Sequence, residues 1–110
     1  MADPGVSSAF QSFMSEAPQH AQAWGAMVDG LAGASALDPK TSALAYLAVL
    51  AAERLEGGIL FHVQTAKRAG ASREEVVSAI LIGLPAAGLR VTEVLPAAIA
   101  AYDAAAGDGR

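Results

Sequence analysis

Hydrophobic residues recur at intervals of three and four through most of the chain, which is the spacing of helices that bury one face. The pattern predicts six helices, over about 6–16, 18–31, 38–55, 58–69, 72–84 and 92–104. The fifth of these is rich in β-branched residues and resembles a buried strand, but no partner strand is predicted elsewhere. The sequence therefore predicts an all-α fold, a compact bundle of five to six helices.

Start and stop signals support several of these helices. Asp38 precedes Pro39, which suits an N-cap followed by the first helical position. Ser72 and Glu75 have the spacing of a capping box, which predicts a helix start there. Gly70 is placed to end the preceding helix in a left-handed conformation.

The third predicted helix is apolar on nearly all sides between residues 43 and 52. A helix of this kind is expected at the centre of a fold. Ten apolar residues are too few to cross a bilayer, so this run does not predict a membrane span.

The composition bounds the architecture and the partners. The 110 residues suit a single domain over 1–110, with flexible ends at 1–5 and 105–110. Hydrophobic residues make up 54% and charged residues only 16%, against about a quarter in an average domain. We expect the surplus apolar surface to be covered by other copies of the chain, as a homo-oligomer.

Charge and cysteine content exclude several classes of function. The net charge is −4 and there is no basic run, which argues against nucleic acid as a partner. The N-terminal residues do not resemble a signal peptide, so the sequence predicts a cytoplasmic protein with no membrane partner. The absence of cysteine excludes disulfides and thiolate chemistry within this sequence.

His62 is the strongest candidate for chemistry. It follows the Gly57-Gly58 break, lies on the apolar side of the fourth predicted helix, and has Glu53 and Glu56 nearby in sequence. An imidazole can act as a general acid or base near neutral pH, with a carboxylate orienting its second nitrogen. Two further interpretations stay open: a histidine buried in the core or an interface, and a Gly-Gly turn that only allows close packing.

Other candidates are weaker. His20 is expected to be exposed, and the two histidines show no metal-ligand spacing, so neither a metal nor another cofactor is predicted. Gly57-Gly58 could cradle a phosphate, but no Lys, Ser or Thr accompanies the pair. Arg90 follows a glycine-containing connection and is expected at the surface, with an anion in a pocket as the alternative.

Several motifs occur in an order that resembles a known family. Leu-Asp-Pro-Lys at 37–40 precedes an apolar helix, a short break and His62, and Ala-Gly-Ala-Ser-Arg-Glu-Glu-Val follows at 69–76. This order is similar to the carboxymuconolactone decarboxylase and alkylhydroperoxidase D-like family, over about residues 37–103. The resemblance implies an all-α bundle that assembles as trimers or hexamers.

The family's functional residues are mostly missing. Its peroxidase members carry a Cys-x-x-Cys motif that falls on Leu55 and Gly58 here, so thiol peroxidase activity is not expected. The peroxidase members also have a glutamate early in the central helix, where this sequence has Ala43. Many decarboxylase-like members have a glutamate four residues before the histidine, where this sequence has Gly58. Of the usual relay only His62 remains.

The resemblance therefore implies one of two functions. The first is a cofactor-free decarboxylation or proton transfer on a small carboxylated lactone or keto acid, with His62, Glu53 and Glu56 as the catalytic candidates. The second is a catalytically inactive oligomer that binds a small molecule or another protein.

Overall fold

A computed structural model describes residues 6–104. Residues 6–104 contain helices and no β-strand, so the predicted all-α fold is confirmed. The predicted flexible ends, 1–5 and 105–110, lie outside the described residues. The α-helices are α1 (Ser8–Glu16), α2 (Pro18–Ala34), α3 (Pro39–Ala52), α4 (Ile59–Arg68), α5 (Arg73–Leu81), α6 (Leu84–Ala87) and α7 (Leu95–Asp103), with 3₁₀ segments at Glu56–Gly58 and Gly88–Val94.

The chain divides into two compact units, Met1–Leu37 and Asp38–Arg110. The first contains α1 and α2, and the second contains the other helices. A single domain over 1–110 stays a prediction.

The first unit is a pair of helices with an aromatic cluster. The ring centroid of Trp24 lies 5.3 Å from that of Phe10 and 6.2 Å from that of Phe13. Helix α2 was predicted to end near residue 31, but it continues to Ala34. The glycines at 30 and 33 weaken a helix by about 1 kcal/mol each and do not by themselves stop it.

The second unit contains the hydrophobic core. Helix α3 packs against α4, α5 and the segment Gly88–Val94, which confirms its predicted central place. Within the described residues it is buried on one side only, because Tyr46 and Val49 are largely exposed. The buried core residues are Leu47, Leu50, Ala51, Ile59, Val63, Ala66, Ala71, Val76, Ile80, Val91, Val94, Ala98 and Ala101.

The helix starts predicted at Asp38 and Ser72 are confirmed. The Asp38 carboxylate accepts a hydrogen bond from the Thr41 backbone N–H at 2.8 Å, and this bond lowers the pKa of Asp38. Ser72 Oγ accepts from the Glu75 N–H at 3.0 Å, while the Glu75 carboxylate accepts from the Ser72 N–H at 2.9 Å. This reciprocal pair is a capping box, and it fixes α5 as a helix rather than a strand.

Helix α3 ends three residues earlier than predicted. The Leu55 N–H donates to the Leu50 carbonyl at 2.9 Å and the Arg54 N–H donates to the Ala51 carbonyl at 3.1 Å, which is a Schellman ending. The left-handed residue is Arg54, with φ of 57°. Because glycine usually takes this position, the early end of α3 could not be predicted from the residue types.

The connection that the sequence predicts as loose, about 86–90, is ordered into α6 and the start of Gly88–Val94. Gly88 has a φ of 82°, which turns the chain between them. The last helix was predicted from about residue 92 but its α-helical part begins at Leu95, with Pro96 in the first turn. Proline is tolerated there because its missing N–H has no intrahelical partner.

Polar side chains on α4 hold the end of α7. Gln64 donates from its amide to the Ala101 carbonyl, and Lys67 Nζ donates to the Tyr102 carbonyl at 2.7 Å. The Tyr102 hydroxyl donates to the Ala71 carbonyl at 2.7 Å. These contacts fix the rotation of α4, so that its other edge, which carries His62, faces α3.

By length and composition alone, the stretch Arg73–Asp103 is apolar enough to cross a membrane, with a mean hydropathy of 1.5 over its best window. In the fold it comprises three helices and a 3₁₀ segment, and its two ends meet: Arg73 Nε lies 2.9 Å from an Asp103 carboxylate oxygen. A straight helix of that length would separate them by roughly 45 Å. The stretch is therefore folded back on itself.

Candidate functional site

His62 lies on the first turns of α4, at the edge of its buried face. Ile59, Val63 and Ala66 on the same helix are fully buried. The His62 side chain is half-buried. It therefore lies at the border between the core and the solvent, where an imidazole can reach both apolar surface and an incoming molecule.

Aromatic and aliphatic groups surround the imidazole. Its ring centroid lies 4.5 Å from that of Tyr46 on α3 and 5.1 Å from that of Phe61, which is oriented edge-on. A Cβ atom added at Gly58 would lie 3.5 Å from His62 Cδ2 and 4.0 Å from Leu50 Cδ1. Gly58 therefore packs beside the Cδ2 edge of His62, and a side chain at that position would contact both His62 and Leu50.

The turn between α3 and α4 explains this arrangement. Tyr46 and His62 are each eight residues from Arg54, and Leu50 and Gly58 are each four residues from it. In a pair of helices that run antiparallel, residues at equal distances from the turn lie opposite each other. The left-handed Arg54 and the short segment Glu56–Gly58 make the turn tight enough to keep this register.

Burial lowers the pKa of the His62 imidazole below its ordinary value of 6.5. Desolvation disfavours the charged form, and no charge on another described residue opposes it. At neutral pH the ring is uncharged, with one nitrogen that donates and one that accepts. This is the protonation state that a general base requires.

The two predicted carboxylate partners are not brought to His62. Glu53 ends α3 and Glu56 begins the segment Glu56–Gly58, and both are exposed. Among the described residues neither forms an ion pair with His62 within 4.0 Å. Glu53 lies seven residues beyond Tyr46, the α3 residue that contacts His62, which is about 10 Å along a helix.

The weaker candidates have structural places. His20 is exposed on α2, as predicted. Arg90 is exposed and donates from Nη1 to the Ala52 carbonyl at 3.3 Å, so it binds the end of α3. Gly58 packs beside His62 and Leu50, which agrees with the close-packing interpretation of the Gly-Gly turn. Within residues 6–104 no group of three or more acidic, His or Cys side chains is placed to hold a metal ion.

The contact between Tyr46 and His62 was not predicted from the sequence. The available signal was a hydroxyl-bearing aromatic residue inside the otherwise aliphatic run 43–52. If the hairpin had been centred on Arg54, Tyr46 would have been predicted to lie opposite His62. The prediction instead took the central helix to continue to residue 55, which shifts the centre of the turn.

The candidate site therefore lies on the hairpin formed by α3 and α4. It consists of the uncharged His62 imidazole and the aromatic rings of Tyr46 and Phe61 that contact it. A family model described as the carboxymuconolactone decarboxylase family matches residues 18–106. The chain belongs to the carboxymuconolactone decarboxylase family. No curated protein and no solved structure gives a significant match.

Proposed function

We propose that the chain is a carboxymuconolactone decarboxylase-like protein in which His62 acts as a general acid/base without a cofactor. The substrate is a small carboxylated lactone or keto acid. The observation that supports this proposal is the half-buried imidazole, whose pKa is lowered by burial and which contacts the partly exposed rings of Tyr46 and Phe61. Cytoplasmic localisation and the absence of a nucleic-acid or membrane partner remain predictions from the sequence.

The chemistry needs only proton transfer by the protein. When the carbon–carbon bond to the carboxylate breaks, CO₂ leaves and the electron pair is delocalised onto the adjacent keto or lactone carbonyl. Neutral His62 takes up a proton from water and donates it to that carbon, so the ring is neutral again at the end of the cycle. In the related proton transfer, neutral His62 removes a proton from the carbon beside the carbonyl and returns it at a second position.

Glu53 and Glu56 are the carboxylates of the hairpin nearest to His62 in sequence, and we propose them as groups that could orient its imidazole. Either would have to approach His62 through movement of the turn over 53–58 before it could orient the second ring nitrogen. The proposed reaction therefore depends first on His62, and the two glutamates are secondary.

We also propose that the functional form is a homo-oligomer, a trimer or a hexamer. Large apolar side chains exposed on several helices of the described chain support this. They include Leu31 on α2, Val49 on α3 and Leu89 in the segment Gly88–Val94. Such surfaces are typical of faces that other subunits cover.

Turnover in deuterated water tests the proposed reaction. A panel of small lactone acids and keto acids is incubated with the wild type, and NMR detects both carboxylate loss and exchange of carbon-bound protons. His62→Gln should lower the rate at least about 100-fold, because general acid/base catalysis contributes that much or more. His20→Gln, which removes the exposed histidine of α2, is the matched control and should retain the wild-type rate. Equal rates for the wild type and His62→Gln would refute the role of His62.

The second candidate is a catalytically inactive, oligomeric module that binds a small molecule or another protein. Two observations favour it: Gly58 supplies no acid beside His62, and neither glutamate reaches the imidazole. In the same panel, this function predicts a rise in melting temperature with some acids and no turnover with any of them.

A further inference from the structure

Two partly exposed aromatic rings contact the His62 imidazole. Tyr46 is 46% exposed and Phe61 is 41% exposed, although both contact His62. Each ring therefore has a contact with the imidazole and a free surface toward the solvent. A molecule that hydrogen-bonds to the imidazole can therefore also pack against these two surfaces.

The surroundings of the imidazole are otherwise uncharged. Burial is the cause that lowers the pKa of His62, and no charged group among the described residues counteracts it. The position facing the Cδ2 edge is Gly58, and behind it lies the aliphatic side chain of Leu50. Recognition here consequently depends on contact with aromatic and apolar surface and on hydrogen bonding by the imidazole.

We propose, resting on the function proposed above, that the substrate carries a flat conjugated ring that packs against Tyr46 and Phe61 while its acid or carbonyl oxygen accepts a hydrogen bond from His62. Aromatic rings attract each other through their quadrupoles in tilted and edge-to-face arrangements, in addition to the area that they bury. A saturated ring of the same size buries similar area without this attraction. The site therefore selects conjugated ring acids over saturated or open-chain acids.

A matched pair of probes tests this selection. Benzoate and cyclohexanecarboxylate have the same charge and nearly the same size, and only benzoate has an aromatic ring. Binding is measured by NMR titration of the wild type at neutral pH, with the His62 ring signals as the reporter. Benzoate should bind roughly three- to tenfold more tightly than cyclohexanecarboxylate, which is the ratio expected from one aromatic pair.

Two variants test whether the preference for benzoate comes from the rings of Tyr46 and Phe61. Tyr46→Leu and Phe61→Leu keep an apolar side chain and remove the aromatic ring, so each should reduce the ratio of the two dissociation constants toward one. Ile82→Ala is the control, because Ile82 is an exposed apolar residue that lies outside α3 and α4. It should leave the ratio unchanged.

Several outcomes would overturn the inference. They are equal affinities for the two acids, absence of binding by benzoate, and a benzoate preference that survives both leucine variants. His62 signals that change with protein concentration rather than with either acid would show that a second copy covers this face, which also overturns it. The function itself fails on a separate result, namely turnover that does not depend on His62, so the two failures are distinguishable.

Discussion

At the scale of single residues, the least expected feature is the left-handed conformation of Arg54. It has a φ of 57°, a region that costs a residue with a side chain about 1 kcal/mol or more. Arg54→Gly should raise the free energy of unfolding by roughly 0.5–1 kcal/mol, because glycine adopts this conformation without the clash of a Cβ atom. Urea denaturation measures the change.

Gly70 provides the matched comparison. It ends α4 in the same type of Schellman turn with a φ of 100°, and a Cβ atom there would meet no other atom within 4 Å. Gly70→Ala should therefore lower the free energy of unfolding by about 1 kcal/mol through backbone conformation alone.

Arg54→Gly also removes the exposed ion pair between Arg54 and Glu93, whose charged atoms lie 3.6 Å apart. An exposed pair contributes little to stability, and Glu93→Gln measures the contribution of this one to the free energy of unfolding. A loss of stability in Arg54→Gly that exceeds the loss in Glu93→Gln would contradict the strain at Arg54.

At the scale of the elements, Tyr102 connects α7 to the turn that follows α4. Its hydroxyl donates to the carbonyl of buried Ala71 at 2.7 Å. Tyr102→Phe leaves that carbonyl without this donor and should lower the free energy of unfolding by about 1 kcal/mol. Thermal denaturation of the variant and the wild type checks the value.

The same substitution on α3 is the control. Tyr46 is 46% exposed and its hydroxyl has no hydrogen bond to another described residue. Tyr46→Phe should change the stability by no more than about 0.5 kcal/mol. If both variants lost equal stability, the Tyr102 hydroxyl would have no special part in holding α7 to α4.

Local signals in the sequence were sufficient to predict the all-α fold and the helix starts at Asp38 and Ser72. Asp38, Ser72 and Glu75 predicted caps that the structure contains, because capping depends on side chains a few residues apart. The early end of α3 was not predictable, since its left-handed residue is an arginine. The position of Tyr46 opposite His62 was missed for the same reason, because it depends on where the turn is centred.

Contacts between helices were beyond the sequence pattern. Gln64 and Lys67 appeared to be polar residues on the side of α4 away from His62, and they proved to bind carbonyls at the end of α7. Whether such a side chain faces solvent or binds a carbonyl of another helix depends on tertiary packing, which cannot be predicted from the spacing of hydrophobic residues. The residues around His62 already indicated it as the candidate and the family resemblance strengthened that choice, whereas its aromatic surroundings became visible only in three dimensions.

At the scale of the whole molecule, the exposed apolar side chains lead to a prediction about assembly. Sedimentation equilibrium at micromolar concentration should give three or six times the chain mass of 11.1 kDa. The physical reason is that separate subunits would expose apolar surface that association removes from water. A single species of 11.1 kDa across the concentration range would contradict the proposed homo-oligomer.

The most direct test of the site is an NMR titration of the His62 ring against pH, with and without benzoate, using His20→Gln to leave one histidine signal. Without ligand, the pKa should lie below 6.5, because burial disfavours the charged imidazole. With benzoate bound, the pKa should rise, because the carboxylate stabilises the protonated ring, and benzoate should accordingly bind more tightly as the pH falls. A free pKa at or above 6.5 that benzoate leaves unchanged would contradict a desolvated, ligand-binding imidazole at this hairpin.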